Sequence, residues 1–144
     1  MLFEAKGRVE VEDVVSGRGL ANIYEFMARQ TNGAIGGHER AEPAWVTENA
    51  IGGKDPVCEA TMALFAECLG NAAGDHALSV MARGGVFLAG GIVAKIAEAL
   101  NVRRFRSAFC AKGAFSSHLM RIPVQAVLSE RLPVLGAARV AMEE

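Results

Sequence analysis

The residues whose types and spacing most suggest chemistry are Gly84-Gly85-Val86-Phe87-Leu88-Ala89-Gly90-Gly91-Ile92-Val93. Four consecutive apolar residues between two glycine pairs read as a buried strand. The second pair stands where that strand hands over to a helix-like segment starting near Ile92. Glycine there admits a positive φ and withdraws the Cβ that would keep a flat ligand at a distance. A helix N-terminus just beyond it leaves unpaired N–H groups that attract anions. Together these features describe a nucleotide pocket at the carboxyl end of a strand in an open α/β sheet. Taken alone, the same pair also makes a tight turn between strand and helix.

Three other groups invite a chemical reading. Ser16-Gly17 precedes a helical pattern; it either offers N–H groups to a ligand or serves as an ordinary serine N-cap. Lys112-Gly113, between Phe109 and Phe115, suggests a phosphate, but one lysine with one glycine falls far short of a phosphate loop. A packed aromatic loop carrying a solvated lysine is the preferred account of it. The run Glu10-Val11-Glu12-Asp13 reads by residue type as a solvated acidic face. His38, His76 and His118 have no acid or cysteine partner at ligand spacing, so no metal site is expected, and no Ser/His/Asp arrangement can be assigned. Trp45 and Tyr24 read as packing residues.

The elements that must position these groups follow from pattern and punctuation. Val11 to Val15 reads as a short extended piece, and Leu20, Ile23, Tyr24 and Met27 recur at helical spacing from about Leu20 to Arg29. Thr31 to Pro43 reads as a polar surface loop, and Ala44 to Ile51 as a short helix stopped by Gly52-Gly53. Asp55-Pro56 is a helix start, with Asp as N-cap and Pro in the first turn. From there the helical pattern runs to about Arg83, its apolar residues Val57, Ala60, Leu64, Cys68, Ala72, Leu78 and Met81 spread over more than one face. Gly70 and Gly74, four apart, predict close approach of another element. A strand over Val86–Ala89, a helix from about Ile92 to Leu100, an irregular segment from Phe105 to Phe115, a strand over Val124–Leu128 and a helix over Pro133–Met142 complete the pass.

Composition sets the frame. The chain has 144 residues, 51% of them hydrophobic and 22% charged, with 16 glycines and a net charge of −1. One α/β domain with a mixed or parallel sheet fits these figures. The charge balance offers neither a basic stripe for nucleic acid nor a basic face for membranes. Cys58, Cys68 and Cys110 form no CxxC pair and predict buried free thiols in a reducing cytoplasm. No leader-like opening is read from Met1-Leu2-Phe3-Glu4. Two strands are few for a complete sheet, which predicts that the chain is part of something larger.

Several separated stretches together resemble the carboxyl-terminal part of bacterial glucokinase. They are Val15-Ser16-Gly17-Arg18-Gly19-Leu20 with Ile23-Tyr24, the Gly84–Val93 segment, Phe105-Arg106-Ser107-Ala108-Phe109 with Lys112-Gly113-Ala114-Phe115, and Ile122-Pro123-Val124 with Leu135-Gly136-Ala137. The resemblance implies a helix-rich portion of an actin-like ATPase (ribonuclease H-like) fold with a mixed sheet, residues 1–144 forming one domain. It also implies ATP-dependent phosphorylation of glucose at its 6-hydroxyl, with ATP and Mg²⁺ as cofactors, in a cytoplasmic homodimer. Glu12 matches a carboxylate that contacts sugar hydroxyls in that family; an ionised carboxylate accepts two such bonds and fixes a polyol's orientation. Gly90 and Gly91 match its adenosine motif, with Ser16 and Gly17 on the nucleotide side of the cleft. Arg18 stands where the family often has proline, which predicts a looser turn, and Ala94 replaces a common proline after the glycine pair.

The same resemblance draws attention to three strings that this sequence lacks: Asp-x-Gly-Gly-Thr, which cradles phosphate; Asn-Asp, whose Asp is the catalytic base; and Gly-Glu-Gly-Gly-His, which holds the sugar. The amino-terminal catalytic part is accordingly expected to be missing and the 144 residues to be inactive alone. The alternative is a non-catalytic sugar- or nucleotide-binding or dimerisation module derived from a sugar kinase.

Overall fold

Asp55 starts the element around which the rest is organised. Its carboxylate accepts from the N–H groups of Val57 and Cys58 at 2.7 and 3.0 Å, satisfying two of the orphan donors at the start of a helix. The computed structural model describes residues 7–31, 42–129 and 131–143. In chain order it contains a 3₁₀ turn Val11–Asp13, α1 Gly17–Gln30, α2 Pro43–Ala50, α3 Pro56–Ser79, β1 Val86–Leu88, α4 Gly91–Ile96 and α5 Val102–Cys110. A 3₁₀ turn Gly113–Phe115, α6 Ser116–Leu119, β2 Val124–Ala126 and α7 Leu132–Glu143 follow. Most of the Thr31–Pro43 loop, with His38, lies outside the described residues.

Helix α3 has 24 residues and so runs about 36 Å. Its buried positions fall in pairs every four residues, from Val57-Cys58 and Thr61-Met62 through Phe65-Ala66 and Leu69-Gly70 to Ala73-Gly74. This is one wide stripe, not several faces. Ala60, Leu64, Cys68, Ala72 and Leu78 flank it half-buried, and Met81 is exposed. Helices α1, α2 and α5 all pack on α3. The helix stops at Ser79 instead of Arg83 because Met81 turns to a left-handed φ of 47°. Ala82 then donates back to the Ala77 carbonyl at 2.9 Å, the six-to-one bond of a Schellman ending.

The predicted glycine contact is present. A Cβ on Gly70 would lie 2.3 Å from the Phe105 carbonyl oxygen, and one on Gly74 2.5 Å from that of Phe109. The two glycines thus seat two successive turns of α5. This corrects the irregular reading of Phe105–Phe115. The segment is helical to Cys110 because Asn101 caps it, accepting from the Arg104 N–H at 3.0 Å, and because Phe105 and Phe109 bury one face four residues apart. Val11–Val15 is corrected too. It coils into a 3₁₀ turn because the Asp13 side chain accepts from the Glu10 N–H at 3.1 Å, pulling the chain back on itself.

Strands β1 and β2 pair in parallel, Val86 opposite Val124 and Leu88 opposite Ala126. They begin where expected but are shorter than predicted. The expected burial is corrected: no residue of either strand is fully buried and Phe87 is 66% exposed, because the sheet has only these two strands among the described residues and one side of β1 stays uncovered. The predicted Ile92–Leu100 helix begins at Gly91 and ends at Ile96, with turns carrying the chain to Leu100. Arg106 ties the strand layer to α5. Its guanidinium donates to the carbonyls of Ile122, Leu119 and Met120 at 2.9, 3.3 and 2.6 Å and lies 5.2 Å from the Phe109 ring centre. No helix among the described residues is long and apolar enough to cross a membrane.

Candidate functional site

The glycine pair occupies the carboxyl end of β1. Gly90 has φ 116° and ψ 162°, a conformation essentially confined to glycine. A Cβ added to it would meet nothing within 4 Å, so the backbone demands glycine here and the space beside it stays open. Gly91 is exposed, has no positive φ, and also faces open space. No packing contact among the described residues accounts for its missing side chain. The helix that follows has only 6 residues, so what this corner offers is room beside the backbone more than a strong helix dipole.

Beside it lies a pocket of about 240 Å³ between α2 and α4, lined by Pro43, Thr47, Glu48 and Ile51 on one side and Ile92, Lys95 and Ile96 on the other. Its walls are apolar, with one acid and one base; cofactor sites are commonly built this way. Gly17 belongs to the same neighbourhood, because a Cβ on it would touch the Pro43 ring at 3.9 Å. The structure therefore sets the first residues of α1 and α2 against each other, with α4 across the pocket from α2; Gly90 and Gly91 are not among the residues that line it. Ser16 is the N-cap of α1 and accepts from the Gly19 N–H at 2.9 Å. Its hydroxyl donates in turn to the Glu12 carbonyl at 2.7 Å. Glu12 lies exposed on the 3₁₀ turn, one hydrogen bond from that cap.

Two expectations on the acid run and its turn change. Asp13, the neighbour of Glu12, is 1% exposed, so only part of the run is a solvated face. Arg18 does not loosen the turn: its guanidinium reaches back to the Asp13 carboxylate at 3.2 Å. The lysine of Lys112-Gly113 is occupied, bonding Asp75 at 2.6 Å and Asn71 at 3.1 Å, both on α3. A packed segment with a tethered, not solvated, lysine describes it. His118 sits in α6 and His76 on the exposed side of α3. Among the described residues no three His, Cys, Asp or Glu side chains gather as a metal site. Tyr24 and Trp45 meet edge to face at 5.7 Å. A groove of about 680 Å³ between α3 and α5, crossed by the Arg104–Glu67 pair, contains none of the candidate residues.

The glucokinase family model matches residues 1–144. The chain belongs to the glucokinase family. A glucokinase of Neisseria meningitidis serogroup C is 39% identical over 132 residues, which make up 92% of this chain and 39% of that protein. One from Rhizobium meliloti is 42% identical over 138 residues, 94% of this chain and 39% of that protein. A crystal structure of a glucokinase from an Antarctic psychrotroph superposes with a TM-score of 0.81 at 36% identity, covering 99% of this chain and 44% of that one. The chain thus has the helix-rich α/β architecture of part of a sugar kinase of the actin-like fold. It spans about two fifths of the length of the relatives it matches.

Glu10-Val11-Glu12-Asp13 contained a feature that reading by residue type missed, namely the buried acid. The signal available was the pairing of Asp13 with an arginine five residues on, across a Ser16 helix cap.

Proposed function

We propose that this chain forms part of an ATP-dependent kinase that phosphorylates glucose at its 6-hydroxyl, contributing the adenosine wall and a sugar-holding acid. The observation that carries this reading is the Gly90-Gly91 corner: one glycine required by its backbone, the next unexplained by any contact among the described residues, both facing open space in a chain of the glucokinase family. Adenine fits the mainly apolar pocket between α2 and α4, with the ribose passing over the glycine pair. Glu12, exposed and backbone-anchored, accepts hydrogen bonds from sugar hydroxyls; bonds to a charged group contribute about 1.5–3 kcal/mol each.

The phosphates and Mg²⁺ find no equivalent cradle here. Lys112 is committed to α3, and among the described residues no three His, Cys, Asp or Glu side chains gather to hold a metal ion. Mg²⁺ would supply charge neutralisation on the transferring phosphoryl group, held by groups other than those described. In this reading the chain binds and orients while a catalytic base lies elsewhere, so the 144 residues alone are inactive. A homodimer in the cytoplasm completes the proposal. The exposed apolar side chains Val134, Leu135, Val140 and Met142 on α7 support burial against another polypeptide surface.

The test is glucose-dependent ADP release, followed in a coupled assay, by the complete translated product that contains these residues and by the 144 residues alone. Activity in the first and none in the second is expected. Turnover by the 144 residues alone refutes the division of labour, and a complete product that ignores glucose refutes the kinase reading. In the active protein Glu12→Gln is expected to raise the KM for glucose tenfold or more.

A further inference from the structure

Two adjacent acids, Glu12 and Asp13, are treated by the fold in opposite ways. Glu12 is exposed and has no hydrogen bond or ion pair from its side chain among the described residues. Asp13 is 1% exposed. Burying a carboxylate is costly unless charge-assisted hydrogen bonds compensate it, and here they do. One oxygen accepts from the Glu10 N–H at 3.1 Å and the other from the Arg18 guanidinium at 3.2 Å. The Asp13 carbonyl accepts from the Asn22 amide at 2.9 Å, and that of Glu12 from Ser16 at 2.7 Å. The start of α1 is pressed onto this knot so tightly that a Cβ on Gly19 would lie 2.1 Å from the Val14 carbonyl oxygen. These bonds toward α1 fix the backbone at and beside Glu12, and none of them uses the Glu12 carboxylate.

We propose that Asp13 is a positioning residue: it anchors the 3₁₀ turn to α1 through Glu10 and Arg18 so that the Glu12 carboxylate is presented to the sugar in one orientation. The proposal rests on the sugar-holding reading of Glu12. A turn of 3 residues has little stiffness of its own, and an exposed glutamate on it would otherwise lose side-chain and backbone freedom on binding, weakening every hydrogen bond it makes. A buried acid held by Glu10, Arg18 and Asn22 removes most of that loss in advance. Arg18 extends the brace, linking the first turn of α1, where Ser16 and Gly17 face the nucleotide side, to the element that faces the sugar.

Steady-state kinetics on the complete translated product separate positioning from mere stability. Asp13→Asn keeps the size and one acceptor but loses the charge that holds Arg18. It is expected to raise the KM for glucose tenfold or more while the KM for ATP stays within twofold. Arg18→Ala, at a side chain 63% exposed, keeps the fold even where Asp13→Asn does not, and is expected to raise the glucose KM about threefold. Unchanged glucose KM in both variants overturns the proposal. So does a parallel loss of both KM values and kcat accompanied by a fall in Tm, the mark of a purely structural acid. A parent product with no response to glucose, or a parent whose Glu12→Gln variant is unimpaired, removes the reading of Glu12 instead and takes this proposal with it.

Discussion

Replacing Gly70 by alanine tests the seam on which the helical layer depends. The new Cβ would stand 2.3 Å from the Phe105 carbonyl oxygen, 3.1 Å from its carbon and 3.2 Å from the Ala108 methyl. Two of these are backbone atoms inside α5, so no rotamer change relieves the overlap. Ordinary contact at about 3.5 Å is restored only if α5 retreats by roughly 1 Å. Overpacking of this kind costs about 1–3 kcal/mol. Alanine recovers up to about 1 kcal/mol through its better helix propensity. The seam is backbone against backbone and α5 carries the Arg106 clamp, so the upper end of the range applies and the net loss is about 2 kcal/mol. For a chain of this length that lowers Tm by about 4–8 °C. Gly74→Ala meets the Phe109 carbonyl at 2.5 Å and the Lys112 stem at 3.0 Å and should behave alike. The double variant should cost less than the sum, because an α5 displaced for one methyl has already made room for the other. Gly136→Ala on α7, with nothing within 4 Å, is the control and should leave Tm unchanged or slightly raised. Thermal unfolding by circular dichroism reads all four variants. A Gly70→Ala chain as stable as the parent would refute the seam.

Gly91→Val fills the open side of the glycine corner; affinity for ATP should fall at least tenfold in a nucleotide titration of the active product while the KM for glucose stays within twofold. Burial, with Asp55 close by, pushes the Cys58 thiol up to about 12, so Cys58 should resist thiol reagents in the native chain at pH 8 and react only on unfolding. The same shift makes stability fall with rising pH. The folded state keeps a proton that the unfolded thiol releases near 9, so this contribution is complete below pH 9 and is lost between 9 and about 12, which denaturant titrations across that window would detect. Arg106→Ala strips three carbonyls of a charged donor and should cost about 3 kcal/mol. Lysine should not restore the loss, because one ammonium cannot reproduce the planar fork.

Elements marked by local chemistry were legible in the sequence, and elements decided by distant partners were not. Asp55-Pro56 announced α3, and the apolar runs announced both strands within a residue or two. The Gly70/Gly74 spacing announced a close neighbour without saying which. Helix α5 was hidden because the pattern was read from Phe105; its cap, Asn101, stands four residues earlier, and the face that makes the helix stable exists only against α3. The stripe on α3 was likewise misjudged, since alanines and glycines take buried or flanking places according to what packs on them. At the candidate site Gly90 was readable by type as a backbone position, because only glycine takes such a φ readily. Asp13 was not: an acid in an acidic run gives no sign of burial until Arg18 and Asn22 fold back over it.

These differences divide the candidate site between two kinds of support. The acid turn is welded to the layer where the apolar core lies, with Leu20, Tyr24, Phe65, Phe109 and Leu119 all 2% exposed or less. The glycine corner hangs instead from two strands of 3 residues each, with Phe87 on the first 66% exposed. A two-stranded sheet is marginal in water without further cover, whereas a long helix packed by three others approaches global stability. Local opening should therefore differ sharply across the chain. Amide exchange in the middle of α3, around Phe65 and Leu69, should be slowest. The amides of β1 and β2 should exchange faster by at least a factor of one hundred, and α7 faster still. Equal protection in α3 and β1 would contradict this division. If it holds, the Glu12 turn, which is proposed to face the sugar, is preorganised by its packing on α1, and the Gly90-Gly91 corner, proposed as the nucleotide wall, gains its rigidity only when the exposed side of β1 is covered.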